Sequence, residues 1–447
     1  MKDLLFAPSG GSMSVRLRKR VTLFVALMLA VATMAIGLPG SKALAASKKP
    51  ALTIATVAPF TGVDAVLGPK YATACLAATQ EINKVGGILG HQINCKTVDT
   101  RGDPADAVPA VRQMYATTPN LAFVIGCTSD EASTVVPVFG ANGTVSMCMT
   151  GESEFDSVKF PYFFRLVPPD AADAVAMVAI AQNKGFKKIA LAFGNDAGSQ
   201  TFVAPAQAAV AKAGMTVVAN ETLDISATSF QTEAQTIVSA QPDVILMEAL
   251  GAAGVALLKE IYQLNGNKMI PVIGTSAMID PTFFSGVTGA VGVNNFITNF
   301  DADNQVSSVA TPAYPLFKRL VMAQAGKVKG VGNFSTLLAA NGTVHLYDAI
   351  NLAALAMVES KSTKGSVYKK DILSIAAGGP GAKVVTSFAA GVAALKAGKK
   401  IQYEGVGGTY KFDAYHTSFG AFQDDQYTAT GSTTSVGVIS AAQLGKL

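Results

Sequence analysis

Tryptophan is missing from this 447-residue chain, histidine occurs three times and cysteine four times. Each scarcity excludes something. His91, His345 and His416 are far apart and lack metal-ligand spacing, so each reads as a structural or surface residue. No G-x-x-x-x-G-K-S/T phosphate loop is present, and no G-x-G-x-x-G follows a strand, which leaves nucleotide and dinucleotide sites unsupported. Gly274-Thr275-Ser276-Ala277-Met278 lacks the closing glycine of a nucleophile elbow. No catalytic constellation survives, and no cofactor or metal is implied.

A basic excess is missing where it would matter. The whole chain has 35 basic and 30 acidic residues, but six of the former and one of the latter lie in residues 1–45, leaving 29 of each. A formally neutral remainder excludes the basic patch that nucleic-acid binding needs and an electrostatic hold on membranes.

The first 45 residues have their own pattern. Arg16, Arg18, Lys19 and Arg20 precede an apolar run from Val21 to Leu38, and Ala43-Leu44-Ala45 is a small-x-small exit. This is a secretory signal peptide, residues 1–45, with Met13 an alternative start. An uncleaved anchor is the competing reading, since the run is close to the ~18 residues a spanning helix needs. No cysteine precedes Cys75, so the chain is not a lipoprotein. The expected location is periplasmic or secreted, as a soluble monomer. Four cysteines in an exported chain allow three pairings. Cys75 with Cys95 and Cys127 with Cys148 would each join expected neighbours; four buried thiols are the alternative.

Hydrophobic residues make up 50% of the chain and charged ones 15%, which suits a large α/β protein with buried parallel strands. From Leu52 the patterns alternate. Strands are expected at 52–57, 93–99, 121–125 and 145–149, with helices between them, one at 70–85 and another capped by Asp103 with Pro104 in first place. After Pro168-Pro169 a second series begins with a helix capped by Asp170 and repeats the same grammar to about residue 274. Two similar α/β lobes follow from this. Long helices at 311–325 and 336–359, then strands around 409–412 and 419–423, complete the expectation.

Several segments carry a resemblance. Leu52 to Gly62 resembles the mature start of leucine/isoleucine/valine-binding-type proteins, the type I periplasmic solute-binding proteins of ABC importers. Glu81-Ile82-Asn83-Lys84-Val85-Gly86-Gly87-Ile88-Leu89-Gly90 is similar to that family's EINAAGGVLG, and Asp99-Thr100-Arg101-Gly102-Asp103-Pro104 to its DDxGDP. Tyr162-Phe163-Phe164-Arg165 and the tail from Tyr403 to Asp413 also fit, so the resemblance spans nearly all of 51–430. It implies two Rossmann-like lobes joined by three crossovers, near Leu166, Thr298 and Gly407, that close by hinge bending. Lobe one would be 51–166 plus 298–407, and lobe two 167–297 plus 408–447.

The resemblance also implies a site. The family holds an amino acid's α-carboxylate with a Ser after the third strand and a Thr after the fourth, at a helix N-terminus. Ungapped matching puts Asp130 and Glu152 at those places, Ser276 at the family's acidic position, and Gly198 and Leu250 at two tyrosine positions; a shift of one residue would restore Ser129 or Ser153. The candidate ligand-binding residues are Ser129, Asp130, Thr150, Glu152 and Ser276, together with Asp196, which follows a strand in lobe two and could reach the cleft. A carboxylate at the helix end takes the anion position itself and favours a cationic or hydrogen-bond-donating ligand. The alternative is that Ser129 caps the helix while Asp130 and Glu131 complement its dipole and face water. The function implied is an extracytoplasmic receptor that binds a small polar solute of the amino-acid, amide or amine class and delivers it to permease and ATPase subunits. A sensory module for a separate receptor is the rival, and a hydrolase using Ser276 a weaker one.

Overall fold

The computed structural model describes residues 49–305 and 311–447; the signal peptide falls outside them. Residues 49–447 form one compact unit. The first sheet contains β1 (Leu52–Ala58), β2 (Ile93–Asp99), β3 (Leu121–Thr128), β4 (Ser146–Met149) and β5 (Phe163–Arg165), in the order β2-β1-β3-β4-β5 and all parallel. Burial explains the composition. Every residue of β3 after Leu121 is buried, as a strand covered on both faces requires, whereas edge strand β2 is buried only in part.

The second sheet begins with β6 (Lys188–Gly194), β7 (Thr216–Leu223), β8 (Val244–Glu248), β9 (Val272–Gly274) and β10 (Phe300–Gln305), parallel in the order β7-β6-β8-β9-β10. A small sheet of β11 (Lys383–Val385), β12 (Ile401–Gly405) and β13 (Gly408–Thr409) belongs to the first lobe's side. Finally β14 (Phe422–Tyr427) and β15 (Thr433–Ile439) add antiparallel strands beyond β10. The Asn341–Ser360 helix is the first lobe's centre: it is buried from Asn341 to Met357, and an all-round apolar helix needs such a site.

The two-lobed α/β class is as expected, but two crossovers move. Phe300–Gln305 pairs in the second sheet, so the chain leaves that lobe after Gln305 and not near Thr298. Likewise Arg165 and residues 416–418 exchange backbone hydrogen bonds, Arg165 N to His416 O at 3.0 Å and Ser418 N to Arg165 O at 3.0 Å. The last crossover therefore follows Ser418, not Gly407. The expected 311–325 helix is shorter, Tyr314–Met322. The 336–359 helix starts at Asn341, because a tight 3₁₀ turn, Phe334–Leu338, precedes it with Asn333 accepting from Ser335 N. In the tail only Thr409 of the first expected strand pairs, within Gly408–Thr409, while the second starts at Phe422 and runs on to Tyr427.

Two disulfides join neighbouring elements. Cys75–Cys95 links the Leu67–Lys84 helix (α1) to β2, and Cys127–Cys148 links β3 to β4.

Candidate functional site

Strand order locates the site. In the first sheet β2 lies on one side of β1 and β3 on the other; in the second, β7 and β8 flank β6 in the same way. Each reversal leaves a crevice at the strands' carboxyl ends, where open α/β sheets bind ligands. A cavity of about 120 Å³ lies between the lobes at both crevices. Thr128, Ser129 and Asp130 reach it from the end of β3, Asp196 and Gly198 from β6, Glu248 and Leu250 from β8, and Ser276 from β9.

The lobes are closed on one another. Gly198 N donates to Asp130 Oδ1 at 3.1 Å, Asp170 N to Gly151 O at 2.9 Å, and Asn341 Nδ2 to Ser276 Oγ at 2.8 Å. Lys70 Nζ donates to Ala277 O at 3.0 Å and lies 3.7 Å from the Asp280 carboxylate.

The helix after β3, Ser129–Ala141 (α2), is capped by Thr128, not Ser129. The Thr128 side chain accepts from the Glu131 backbone and Glu131 accepts from Thr128 N at 3.1 Å, a reciprocal capping box; the Thr128 hydroxyl also donates to Glu131. Glu131 is therefore fully buried in the scaffold, and Asp130 beside it lines the cavity. Ser129 Oγ donates to Thr150 Oγ1 at 3.3 Å.

The structure brings four candidates, Ser129, Asp130, Asp196 and Ser276, to the cavity wall. Thr150 and Glu152 are not on it. Thr150 is fully buried, and its hydroxyl donates to Glu152 Oε2 at 3.3 Å; Gly151 between them meets the cavity. Buried Arg165 holds this loop, donating to Thr150 O at 3.3 Å and Glu152 O at 3.4 Å, and it pairs with Asp156.

Sequence reasoning missed most of the wall. Asp170 was expected to cap its helix, Asp170–Asn183. It is instead that helix's first residue; Pro169 is the cap, and the Asp170 carboxylate accepts from Thr201 Oγ1. Asp173, Glu248, Lys70, Tyr71 and Asn341 also line the cavity. One signal could have found Glu248, an acid at the carboxyl end of a buried strand. Nothing local marks Asn341, which is brought in from a helix 65 residues after Ser276.

Crowding and burial keep these acids from ionising easily. Burial, then Asp130 and Asp196, push the Asp64 carboxyl up to about 8. Burial and then Asp196 raise Asp130 to about 6. Burial raises Asp170 to about 7 and holds Glu248 well above the ordinary range. Among the described residues no cluster of His, Cys, Asp and Glu is arranged to hold a metal ion.

Two α/β lobes closed over one cavity with acidic side chains at their switch points define a two-lobed solute-binding protein. Residues 51–421 match the periplasmic binding protein family, and the chain belongs to it; this is a family of binding proteins, not enzymes. Among known proteins, the chain is 26% identical over 281 residues to the Leu/Ile/Val-binding protein BraC3 of Rhizobium johnstonii, covering 62% of this chain and 76% of that one. It is similar in fold to the leucine-binding protein LivK of Thermotoga maritima, with a TM-score of 0.70 at 14% identity over 88% and 99% of the two chains. A solute-binding protein of R. palustris solved in complex with benzoate gives a TM-score of 0.66 at 19% identity, over 87% and 96%. No helix among the described residues is long and apolar enough to cross a membrane.

Proposed function

We propose that this protein is the extracytoplasmic receptor of an ABC importer, closing its interlobe cavity on a small polar solute and handing it to the permease. The observation that carries the reading is the carboxylate-rich cavity between the two switch points. Asp130 belongs to one lobe, and Asp170, Asp173, Asp196 and Glu248 belong to the other. Acids presented from both sides must either repel or take up protons when the cleft closes without a ligand, and both costs favour opening. A solute that brings hydrogen-bond donors removes the repulsion and favours closure. Binding energy is then converted directly into the closed shape that a permease can recognise. Relatives named for leucine, isoleucine and valine support the transport role. The Asp130 carboxylate, at the start of α2 where an α-carboxylate would bind, supports the amine or amide end of the solute range.

Thermal shift against amino acids, amides, amines and aromatic acids identifies binders. A ligand at 100 times its Kd adds about 2.7 kcal/mol of stability. Small-angle scattering with and without a binder then reads closure. A smaller radius of gyration with ligand is expected, and an unchanged radius with ligand bound would overturn the hinge-closing receptor.

A further inference from the structure

Several of the cavity's donors are already taken. Thr128 and Thr275 hydroxyls donate to Glu131 and Glu248, Asn341 Nδ2 donates to Ser276 Oγ, and the Lys70 ammonium is held by Ala277 O and Asp280. Two acceptors remain. Asp173 and Asn341 are each 8% exposed and line the cavity, and Asp173 Oδ1 and Asn341 Oδ1 have no partner. A buried acceptor without a donor is destabilising, so a ligand N–H that reaches either oxygen is favoured.

Each lobe brings one wall carboxyl with a second carboxyl near it: Asp130 with Asp64 in the first, and Asp173 with Asp303 in the second. Two neighbouring buried carboxyls cannot both ionise cheaply, so a proton is retained on one of them, and an ammonium can replace that proton. Both carboxyl oxygens of Asp303 are buried without a hydrogen-bond partner.

We propose that the cavity takes a short organic cation with two amine nitrogens and no carboxylate of its own, one nitrogen for each carboxyl pair, so that the ligand ties lobe to lobe. This deepens the receptor reading and rests on it. Tyr71 and Phe202 on the wall offer apolar ring surface to the connecting carbons. A bare divalent cation is disfavoured, because the acids do not converge as a metal cage among the described residues. A carboxylate ligand is disfavoured because Asp130 already accepts from Gly198 N.

Titration calorimetry at about pH 7.5, where the amines are charged, tests this with 1,4-diaminobutane, 1-aminobutane, leucine and benzoate. The diamine is expected to bind about tenfold more tightly than the monoamine or better, and Asp173→Asn to weaken it by about tenfold or more. Asp130→Asn tests the other pair, should Asp173→Asn fail to fold. Equal affinity for the two amines would overturn the two-nitrogen claim. Binding and closure with leucine or benzoate alone would overturn the cation and leave the receptor standing. Diamine bound with no contraction would overturn the receptor itself. No binding of the diamine would overturn the proposal.

Discussion

Asp348 shows how much one residue can organise. Fully buried, its carboxylate accepts from Tyr403 OH at 2.8 Å, Val406 N at 3.0 Å, Gly407 N at 2.8 Å and Tyr410 OH at 2.6 Å. This explains the tail motif from Tyr403 to Asp413. Gly405 is glycine because a Cβ there would overlap the Asp348 carboxyl. The other shared motifs are also scaffold. Asp99 accepts from Phe60 N, Thr61 N and Arg101 N and so ties down the loop after β1, while Asn83 exchanges two hydrogen bonds with the backbone of Ile93. Asp348→Ala leaves two buried tyrosine hydroxyls and two N–H groups unpaired, and a loss on the order of 3 kcal/mol or more is expected. Denaturant unfolding checks it; a change within about 0.5 kcal/mol, the range of surface substitutions, would refute the anchoring role.

Among elements, the three crossovers meet at one side chain. With its amide oriented as its surroundings require, Gln305 donates to Leu166 O at 3.0 Å and to His345 Nε2 at 3.1 Å, and accepts from Gly420 N at 3.2 Å. Leu166 belongs to the first crossover, Gln305 to the second and Gly420 to the third. His345 can accept because burial lowers its pKa to about 3 and keeps the ring neutral. Its Nδ1 is 3.1 Å from Tyr410 OH, which links the hinge to Asp348. In Gln305→Ala the Gly420 amide loses its acceptor. Faster hydrogen exchange across 419–421 and a smaller ligand-induced contraction are expected; unaltered protection there would show that the hinge does not depend on Gln305.

For the whole molecule, the acids make stability depend on pH with a definite sign. Asp64 and Asp303 are raised from 3.8 to about 8, and Glu131 from 4.5 and Asp170 from 3.8 to about 7, in each case first by burial. The folded protein therefore holds protons that the unfolded chain has already lost. Their contribution is fully present below about pH 4 and is lost as pH rises through about 7 to 8. His345 acts oppositely, being depressed from 6.5 to about 3; its contribution is complete above 6.5 and lost below it. Between pH 8 and 6.5 only the acids count among these groups, so the Tm of ligand-free protein should rise on acidification. Thermal unfolding across that interval checks it. A flat or falling Tm would mean that the ligand-free protein does not keep these acids buried, and Asp303→Asn should reduce the slope.

Local signals determined a great deal here. Apolar runs bounded by glycine and proline placed most strands of both sheets, though not β5, β10 or β15, and Asp103 with Pro104 marked a helix start that the structure keeps, with Asp103 accepting from Ala105 N at 2.7 Å. Such features depend on a few neighbouring residues, so they are readable in order along the chain. The late crossovers were not readable, because Phe300–Gln305 becomes part of the second sheet only by pairing with β9 and with β14, more than a hundred residues away. The site divides in the same way. Ser129, Asp130 and Ser276 were legible through the family resemblance, and Asp196 as a residue that follows a strand. Thr150 and Glu152 also follow a strand, but Arg165 holds their loop by its backbone carbonyls and turns only Gly151 to the cavity. Asn341, Asp173 and Lys70 acquire their place only when helices from distant parts of the chain pack around the cleft. Chain order determined the scaffold; packing decided which acids share one cavity and keep their protons.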